Sequence, residues 1–336
     1  MAQDWLLIET LGPEPTVVAV GRQAKKMVPL PAILGRNRHF PLINEAIQGS
    51  ISAKTAADFP VPGSDRIIHT HPLVMTTGHV HGTHLWLGNQ DATPPERPIA
   101  GAWSWNLGAD TVNLNAGALI VNGITDREPG EAGNIAESFR YIEPNPDEAD
   151  ALAKVVNAHI GATHCATWVG KGEDQQLRRV HFSARIFEEP GTHHRLVRGL
   201  NINTGPDTPL TPEQQPRILA QQLLDAIAEP GTYRAIVNLR TLNLLKWAGE
   251  PMPDIDWEYD PENKPKLHPD DIPIAKEMAR GLREAPKLGG ILKTEGTLRV
   301  RGRSGQWIRL HTTANLTLLD ENTTAALVTI RRAPAS

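Results

Sequence analysis

The sequence has a single cysteine, few aromatic residues and no long apolar run. With Cys165 alone, an intramolecular disulfide and a cysteine-based zinc finger are both excluded. No stretch reaches the roughly 18 consecutive apolar residues that a membrane-spanning helix requires. The first residues, "MAQDWLLIETLG", lack the basic residues that begin a signal peptide. We therefore expect a cytoplasmic protein with no membrane span.

Charge of either sign is not in excess. The 34 basic and 38 acidic residues nearly balance, which gives no electrostatic reason for binding nucleic acid or an anionic membrane. Hydrophobic residues make up 40% of the chain, enough to form ordinary globular cores. The length of 336 residues is typical of two or three domains of roughly 100–200 residues each.

Common catalytic motifs are also missing. The stretch "VGKG" at residues 169–172 resembles part of a phosphate-binding loop, but Cys165 stands in place of the leading glycine and Gly172 in place of Ser or Thr. The stretch "GRSG" at residues 302–305 lacks the spacing of a nucleophile elbow and indicates a hairpin turn. We predict no catalytic residues, no cofactor and no identifiable cofactor-binding residue.

Two proline-rich stretches mark candidate domain boundaries. They lie at residues 91–101 and 203–216 and divide the chain into domains 1–97, 98–207 and 208–336. After the second stretch, Thr211 is suited to cap a helix whose apolar positions recur every four residues. Those apolar positions are Leu219, Leu223 and Ile227.

The second and third domains resemble each other internally. The sequence around Asn106 in "SWNLGADTVNLNAG" matches that around Asn238 in "IVNLRTLNLLKWAG". Farther along, "RVHFSARIF" and "RLHTTANLT" align His181 with His311. Each copy therefore predicts two strands, a helical middle and a closing three-stranded meander.

These copies resemble PAS domains. The resemblance is carried by "AWSWNL" at residues 102–107, by the closing strands that end in "VRGLNIN" at 197–203, and by "HPDD" at 268–271. Together with the start of the chain at residues 4–30, the domain order resembles a mycobacterial and actinobacterial family of sensor-only proteins. That resemblance implies an α+β fold of three domains (GAF-like, PAS-like, PAS-like), each a central antiparallel sheet with packed helices. It supplies no catalytic or ligand-binding residues.

Five histidines fall within residues 67–86, "IIHTHPLVMTTGHVHGTHLW". The stretch predicts a hairpin, and a three-residue loop "TTG" would place Gly78 in the left-handed conformation. In that register Leu73 faces His81, and strand side chains alternate between the two faces. The expected result is one face shared by His69, His71, His79 and His81.

Four imidazoles on one face could bind zinc or nickel, with His71 and His81 as diagonal neighbours. A two-residue turn would instead put the two histidine pairs on opposite faces. Leu73 and Met75 would share the ligand face, and no acidic residue between positions 67 and 89 could orient a ligand. We therefore predict structural or solvated histidines and no metal site, with a pH-responsive cluster and a metal site as alternatives.

Three further features have ordinary structural explanations. Cys165 lies in a predicted strand and is expected to be a buried small residue rather than a reactive thiol. His193 and His194 lie beside a turn, where a solvated loop is expected. The acidic stretch at residues 254–260, "DIDWEYD", is predicted to be a solvated loop rather than a cation site.

We predict a cytoplasmic sensor or adaptor of signal transduction that has no effector domain and is not an enzyme. It would sense a small ligand in a PAS-like pocket or bind an unknown signalling protein, and it would not bind nucleic acid. One alternative is a metal-dependent enzyme that uses His69, His71, His79 and His81. Another is a ligand-free protein-interaction scaffold, for which an exposed apolar patch is expected at residues 5–11, "WLLIETL".

Overall fold

The computed structural model describes residues 4–205, 226, 228–288 and 292–334, and these residues form three antiparallel sheets. The strands of the first sheet are β1 (Leu6–Glu9), β2 (Thr16–Val20), β3 (Gln23–Pro29), β4 (Ala57–Pro60), β5 (Arg66–Val74) and β6 (Val80–Asn89). They lie in the order β3-β2-β1-β6-β5-β4, and every neighbouring pair is antiparallel.

The other two sheets have five strands each. The middle sheet contains β7 (Ala100–Asn106), β8 (Thr111–Leu114), β9 (Thr163–Lys171), β10 (Leu177–Glu188) and β11 (Arg195–Asn203). The third contains β12 (Thr232–Val237), β13 (Leu244–Trp247), β14 (Lys293–Arg301), β15 (Trp307–Leu318) and β16 (Thr324–Arg332). Their orders, β8-β7-β11-β10-β9 and β13-β12-β16-β15-β14, are the same permutation. The predicted α+β class with three sheet-based domains is confirmed.

The helices among the described residues are mostly short. They are α1 (Leu30–Leu34), α2 (Phe40–Ala53), α3 (Ala116–Asn122), α4 (Ile135–Arg140), α5 (Glu148–Asn157) and α6 (Ile272–Leu288). The Asn115 side chain caps α3 by accepting from the Ala118 N–H, and Gly123 ends the helix in the left-handed conformation. None of the helices in the described part of the chain combines the length and apolar composition needed to cross a membrane.

The helix α2 covers one face of the first sheet. Ile43 and Ile47 lie one turn apart and pack into a buried cluster with Leu6, Ile8 and Leu85 of the central strands. Each such side chain stabilises the fold by about 1.5–3 kcal/mol relative to exposure. The opposite face of this sheet is therefore left to contact other parts of the chain.

The exposed apolar patch expected at residues 5–11 is not found. The strand β1 pairs on both sides, with β2 and with β6, so it lies in the interior of the sheet. Trp5, Leu6, Leu7 and Ile8 are all buried. The expectation was wrong because "WLLI" is a central strand with both faces covered, which produces a continuous apolar run without an exposed surface.

The internal repeat is confirmed in detail. Asn106 is the last residue of β7, and its side-chain oxygen accepts hydrogen bonds from the N–H groups two and three positions later, at 3.0 and 2.9 Å. Asn238 makes the same pair of bonds after β12, at 2.8 and 3.4 Å. His181 and His311 are each the fifth residue of a 12-residue strand. The two copies thus share turn chemistry as well as strand order.

The chain forms two compact units. The first contains the described residues up to Ala132, residues 141–143 and those from His159 to position 205; the second contains residues 133–140, 144–158 and the described residues from 226 onward. A PAS-like pattern would place the helices of the middle segment on the middle sheet. Instead α4 and α5 belong to the second unit, with the third sheet.

The helix expected to begin at Thr211 lies outside the described residues, as does most of the second proline-rich stretch. The first proline-rich stretch is irregular and mostly exposed until β7 begins at Ala100.

Candidate functional site in the first domain

The histidine-rich segment forms the predicted hairpin of β5 and β6. Its three-residue loop, residues 76–78, is confirmed: the Met75 N–H donates to the His79 carbonyl at 2.8 Å, and Gly78 has φ of 80°. Only glycine takes that conformation without a steric cost, which is why the loop closes here. The local turn was readable from the sequence.

The register beyond the loop differs from the prediction. Val74 pairs with Val80, but Leu73 pairs with Gly82, so His81 is an extra residue in a β-bulge. Beyond the bulge His71 faces His84 and not the neighbourhood of His81. The predicted face shared by His69, His71, His79 and His81 was therefore wrong. A single inserted residue moves every later side chain of β6 to the other face.

The bulge assembles a different cluster on the face turned away from α2. Its members are Trp5, His69, His71, His84 and Trp86, and we call them the imidazole–indole cluster. The Trp5 ring lies edge-on to the rings of His71 and His84, with centroids 5.4 and 6.2 Å apart. The Trp86 ring centroid lies 5.4 Å from that of His69 and 6.4 Å from that of Trp5. Trp5 is fixed by its own Nε1–H, which donates to the Pro95 carbonyl at 2.8 Å.

His84 is the most unusual member of this cluster. It is 1% exposed, and neither Nδ1 nor Nε2 has a hydrogen-bond partner among the residues that the structure describes. Burial lowers its pKa to about 3, and the charges of Arg97 and His71 act in the same direction. The ring is therefore neutral at physiological pH, with a donor and an acceptor both unused inside the protein.

The other two histidines of the cluster, His69 and His71, are more accessible than His84. Burial, followed by the charge of Arg97, lowers the pKa of His71. His69 is hydrogen-bonded through Nδ1 to the carboxylate of Asp58 on β4, at 2.5 Å, and Asp58 is exposed. Arg97 lies in the first proline-rich stretch and makes no hydrogen bond or ion pair within the described chain. Burial thus lowers the pKa of two imidazoles of the cluster, those of His71 and His84, and the nearby Arg97 adds a positive charge.

The remaining two histidines of the hairpin, His79 and His81, are not part of the cluster. His79 is exposed at the loop, where its Nδ1 lies 3.1 Å from the Thr77 hydroxyl. His81 is buried and bonds through Nδ1 to the Gly199 carbonyl of the middle sheet at 3.1 Å. Burial lowers the pKa of His81 to about 4. Within the ranges that the structure describes, no group of three or more His, Cys, Asp or Glu side chains is placed to hold a metal ion.

Cys165 lies on β9, half-buried, beside a histidine that sequence reasoning did not connect with it. Its Sγ is 3.4 Å from Nε2 of His181 and 3.6 Å from the Lys25 carbonyl. The same Nε2 lies 3.0 Å from the Lys25 carbonyl, and Nδ1 of His181 lies 2.7 Å from the Thr167 hydroxyl. Burial raises the pKa of the thiol to about 11, so the pair favours the protonated thiol and not a thiolate nucleophile.

We expect Cys165 to react slowly with a disulfide reagent such as DTNB in the folded protein. Raising the thiol pKa from 9.0 to about 11 lowers the thiolate fraction near pH 8 by a factor on the order of 100. The measurement compares the rate in native buffer with the rate in urea, where the same thiol is exposed. Equal rates in the two conditions would contradict the protonated, half-buried thiol.

The acidic stretch 254–260 is held by basic side chains. Asp256 pairs with Lys266 at 2.7 Å and Asp254 with Arg332 at 2.8 Å, and Glu258 contacts two arginines, Arg140 and Arg303. The central Trp257 is buried and packs edge-on against Trp247, with ring centroids 6.0 Å apart. Three of the four carboxylates are thus engaged in ion pairs around a core tryptophan, and the fourth, Asp260, accepts from the Glu262 N–H at 2.8 Å.

The second histidine pair lies at the turn between β10 and β11. His193 is exposed and bonds through Nδ1 to Glu188 at 2.9 Å, and it takes a positive φ of 56°. His194 is half-buried, with its Nδ1 3.9 Å from a carboxylate oxygen of Glu189. This turn brings no second group of histidines together.

Comparison with known proteins identifies the family. The Rv3651-like N-terminal profile matches residues 4–96, the Rv3651-like middle-domain profile matches residues 99–204, and the Rv3651-like C-terminal-domain profile matches residues 217–336. The chain belongs to the Rv3651-like family. A crystal structure of an uncharacterized protein from Mycobacterium tuberculosis is similar to this chain at 32% identity, with a TM-score of 0.86 over 99% of this chain and 97% of that one. The expected three-domain family with a mycobacterial member is confirmed.

More distant likenesses contribute no argument. A sensory box histidine kinase/response regulator from Burkholderia thailandensis matches at 16% identity over 32% of this chain and 77% of that chain, with a TM-score of 0.26. An RNA-binding light-oxygen-voltage receptor matches at 9% identity over 70% of this chain and 95% of that chain, with a TM-score of 0.23. No match was found among proteins with curated descriptions.

Proposed function

We propose that this protein is a cytoplasmic, non-catalytic sensor or adaptor of signal transduction, with a GAF-like first domain and two PAS-like domains. Two features support the absence of catalysis. The thiol of Cys165 is held protonated, and the buried imidazoles of His81 and His84 are held neutral with pKa values of about 4 and 3, far below the range useful to a general base at neutral pH. The partner would be a signalling protein or a small ligand.

The observation that carries the adaptor role is the segment of the middle domain that packs into the second unit. In α4, Ala136 is buried in a core with Trp247 and Ile255 of the C-terminal domain. Just before α4, the Asn134 amide donates to the Trp257 carbonyl at 2.7 Å, and its oxygen accepts from the Glu137 N–H at 2.9 Å. A helix encoded in the middle domain is thus part of the C-terminal core.

The second helix of this segment is attached in the same way. Glu148, at the start of α5, pairs with Lys246 of β13 at 2.6 Å, and both side chains are largely buried. At the other end of α5, the Asn157 amide contacts the Thr323 hydroxyl at 2.5 Å. The two ends of α5 are therefore held by different parts of the C-terminal domain, β13 and the turn before β16.

Between the two helices the chain returns to the middle sheet. The Glu143 N–H donates to the Val169 carbonyl of β9 at 3.0 Å, and the Lys171 N–H donates to the Tyr141 carbonyl at 2.9 Å. One continuous segment is therefore bonded in turn to the C-terminal domain, to β9, and to the C-terminal domain again. Because this segment is continuous, it connects β9 through the chain to helices that belong with the third sheet, and the proposed adaptor role uses that connection.

Hydrogen exchange tests this coupling. Val169→Ala removes a buried side chain beside the attachment at Glu143, at a cost of roughly 2 kcal/mol. We expect faster exchange in β9, in α4 and α5, and in β13. The matched control is Val17→Ala, an equally buried valine of β2 in the first sheet, which should leave β13 unchanged. An effect of Val169→Ala that stops at residues 141–143 would overturn the coupling.

A scaffold without a ligand is the second candidate. It is favoured by one feature of the C-terminal domain, where large side chains fill the interior: Trp247, Met252 and Trp257 are buried together. Native mass spectrometry separates the two functions. A reproducible extra mass released on denaturation supports a sensor with a ligand, and a bare polypeptide mass supports the scaffold.

A further inference from the structure

The imidazole–indole cluster contains a buried polar group that the described protein residues leave unsatisfied. Folded proteins pair nearly all of their buried polar atoms, and exceptions commonly mark a bound water, ion or ligand. His84 has two such atoms on one ring, at 1% exposure. Replacing it with an apolar residue would remove the unfavourable burial, so a histidine at this position points to a ligand that accepts from its ring N–H.

The charges around the cluster favour a negatively charged ligand. The charge of Arg97 acts on both His71 and His84, and Arg97 has no acidic partner within the described residues. The nearby carboxylate, that of Asp58, is bonded to His69. A cation would be repelled by the arginine and would have no free carboxylate to bind. An anion could accept hydrogen bonds from the guanidinium and from one N–H of each imidazole.

The walls of the cluster limit the size of the ligand. The Trp5 ring is already in contact with His71 and His84, with centroids 5.4 and 6.2 Å apart. The backbone Pro95 carbonyl holds the Trp5 indole in place, and the same stretch of chain carries Arg97 two residues later. Rings already in contact leave little room between them, which favours a small anion over a bulky one.

We propose that His71, His84 and Arg97 form a binding site for a small anion of the carboxylate or phosphate type. The imidazole N–H groups of His71 and His84 donate to the anion, Arg97 supplies the charge, and the indoles of Trp5 and Trp86 shield it from water. A charge-assisted hydrogen bond in a shielded site is stronger than a neutral one in water. The proposal is independent of the coupling between the middle and C-terminal domains.

Isothermal titration with acetate and with inorganic phosphate, at constant ionic strength, tests the site on the full chain. We expect one equivalent to bind the wild type, and the dissociation constant to rise at least about tenfold in Arg97→Gln and in His84→Leu. Arg97 lies in an exposed stretch, so Arg97→Gln keeps the fold if His84→Leu does not. Saturation by acetate alone identifies a carboxylate ligand, and saturation by phosphate alone identifies a phosphate.

The matched control is Arg66→Gln. It removes the same charge from β5 of the same hairpin, where Arg66 is exposed in its bond to Asn89 at 2.8 Å. Binding in this variant should stay within about twofold of the wild type, because screening weakens distant exposed charges. The site is refuted if neither anion saturates the wild type, or if Arg66→Gln weakens binding as much as Arg97→Gln does.

Discussion

Lowering the pH from about 7.5 to about 4.5 is expected to reduce the free energy of unfolding of the first unit by roughly 3–5 kcal/mol through His81 and His84 alone. Burial holds the folded pKa values at about 4 and 3, below the ordinary 6.5. Above pH 6.5 neither state binds protons at these rings. As the pH falls below 6.5 the unfolded chain takes up protons that the folded chain cannot, and stability is lost until the pH reaches the folded pKa values.

Urea unfolding at a series of pH values measures this loss. The variant His84→Leu removes one of the two rings, so its loss over the same pH range should be smaller than that of the wild type by about 2–3 kcal/mol. The control is His79→Gln, since His79 is exposed at the loop. It should reproduce the wild-type slope. Identical slopes for the wild type and His84→Leu would show that His84 is not buried in the neutral form.

Replacing Arg185 with Met is expected to destabilise the first unit by about 3–5 kcal/mol, because it leaves a buried carboxylate without its charge partner. Glu9 of β1 is 1% exposed, and its carboxylate oxygens lie 3.2 and 3.5 Å from Nε and an Nη of Arg185 on β10. It also accepts from the Thr16 hydroxyl at 2.8 Å and the Leu11 N–H at 3.2 Å. The pair joins the first sheet to the middle sheet.

A double-mutant cycle measured by denaturant unfolding separates the free energy of the Glu9–Arg185 ion pair from the cost of burying an unpaired charge. Glu9→Gln combined with Arg185→Met removes both charges and should recover part of the stability that Arg185→Met loses. The surface control is Arg280→Met, whose partners Glu277 and Glu284 are exposed, and it should cost less than about 1 kcal/mol. A loss from Arg185→Met as small as that of the control would mean that Glu9 is solvated in solution.

The hairpin shows where local prediction ends. The loop at Gly78 depends on three residues and their turn chemistry, and it was predicted correctly. The bulge at His81 is matched by a contact with another sheet: its imidazole bonds to the Gly199 carbonyl of the middle sheet, 118 positions away. No pattern within the hairpin contains that carbonyl. The register, and with it the composition of the candidate site, could not be read from the alternation of residues alone.

His84 is a second residue whose position could not be predicted from the local sequence. In a hairpin without the bulge it lies opposite Thr70 and shares no face with His71, so the sequence offered no reason to single it out. In the structure it faces His71 and lies against Trp5, whose "WLLI" run had suggested an exposed patch. Arg97 joins them from a stretch that the sequence marks only as a linker. The site therefore draws on three segments that are distant in the chain.

The sequence by itself determined the three-domain α+β architecture, the repeat of the second domain in the third, and the turns that close their strands, because alternation, capping and turn residues act over a few neighbouring positions. Only the tertiary structure decided which histidines meet, that Cys165 lies beside His181, and that α4 and α5 belong to the unit of the third sheet and not to that of the middle sheet. Those outcomes depend on packing between residues far apart in the chain. A helix with an apolar face can bury that face on either of two sheets, and it packs on the sheet with the complementary surface.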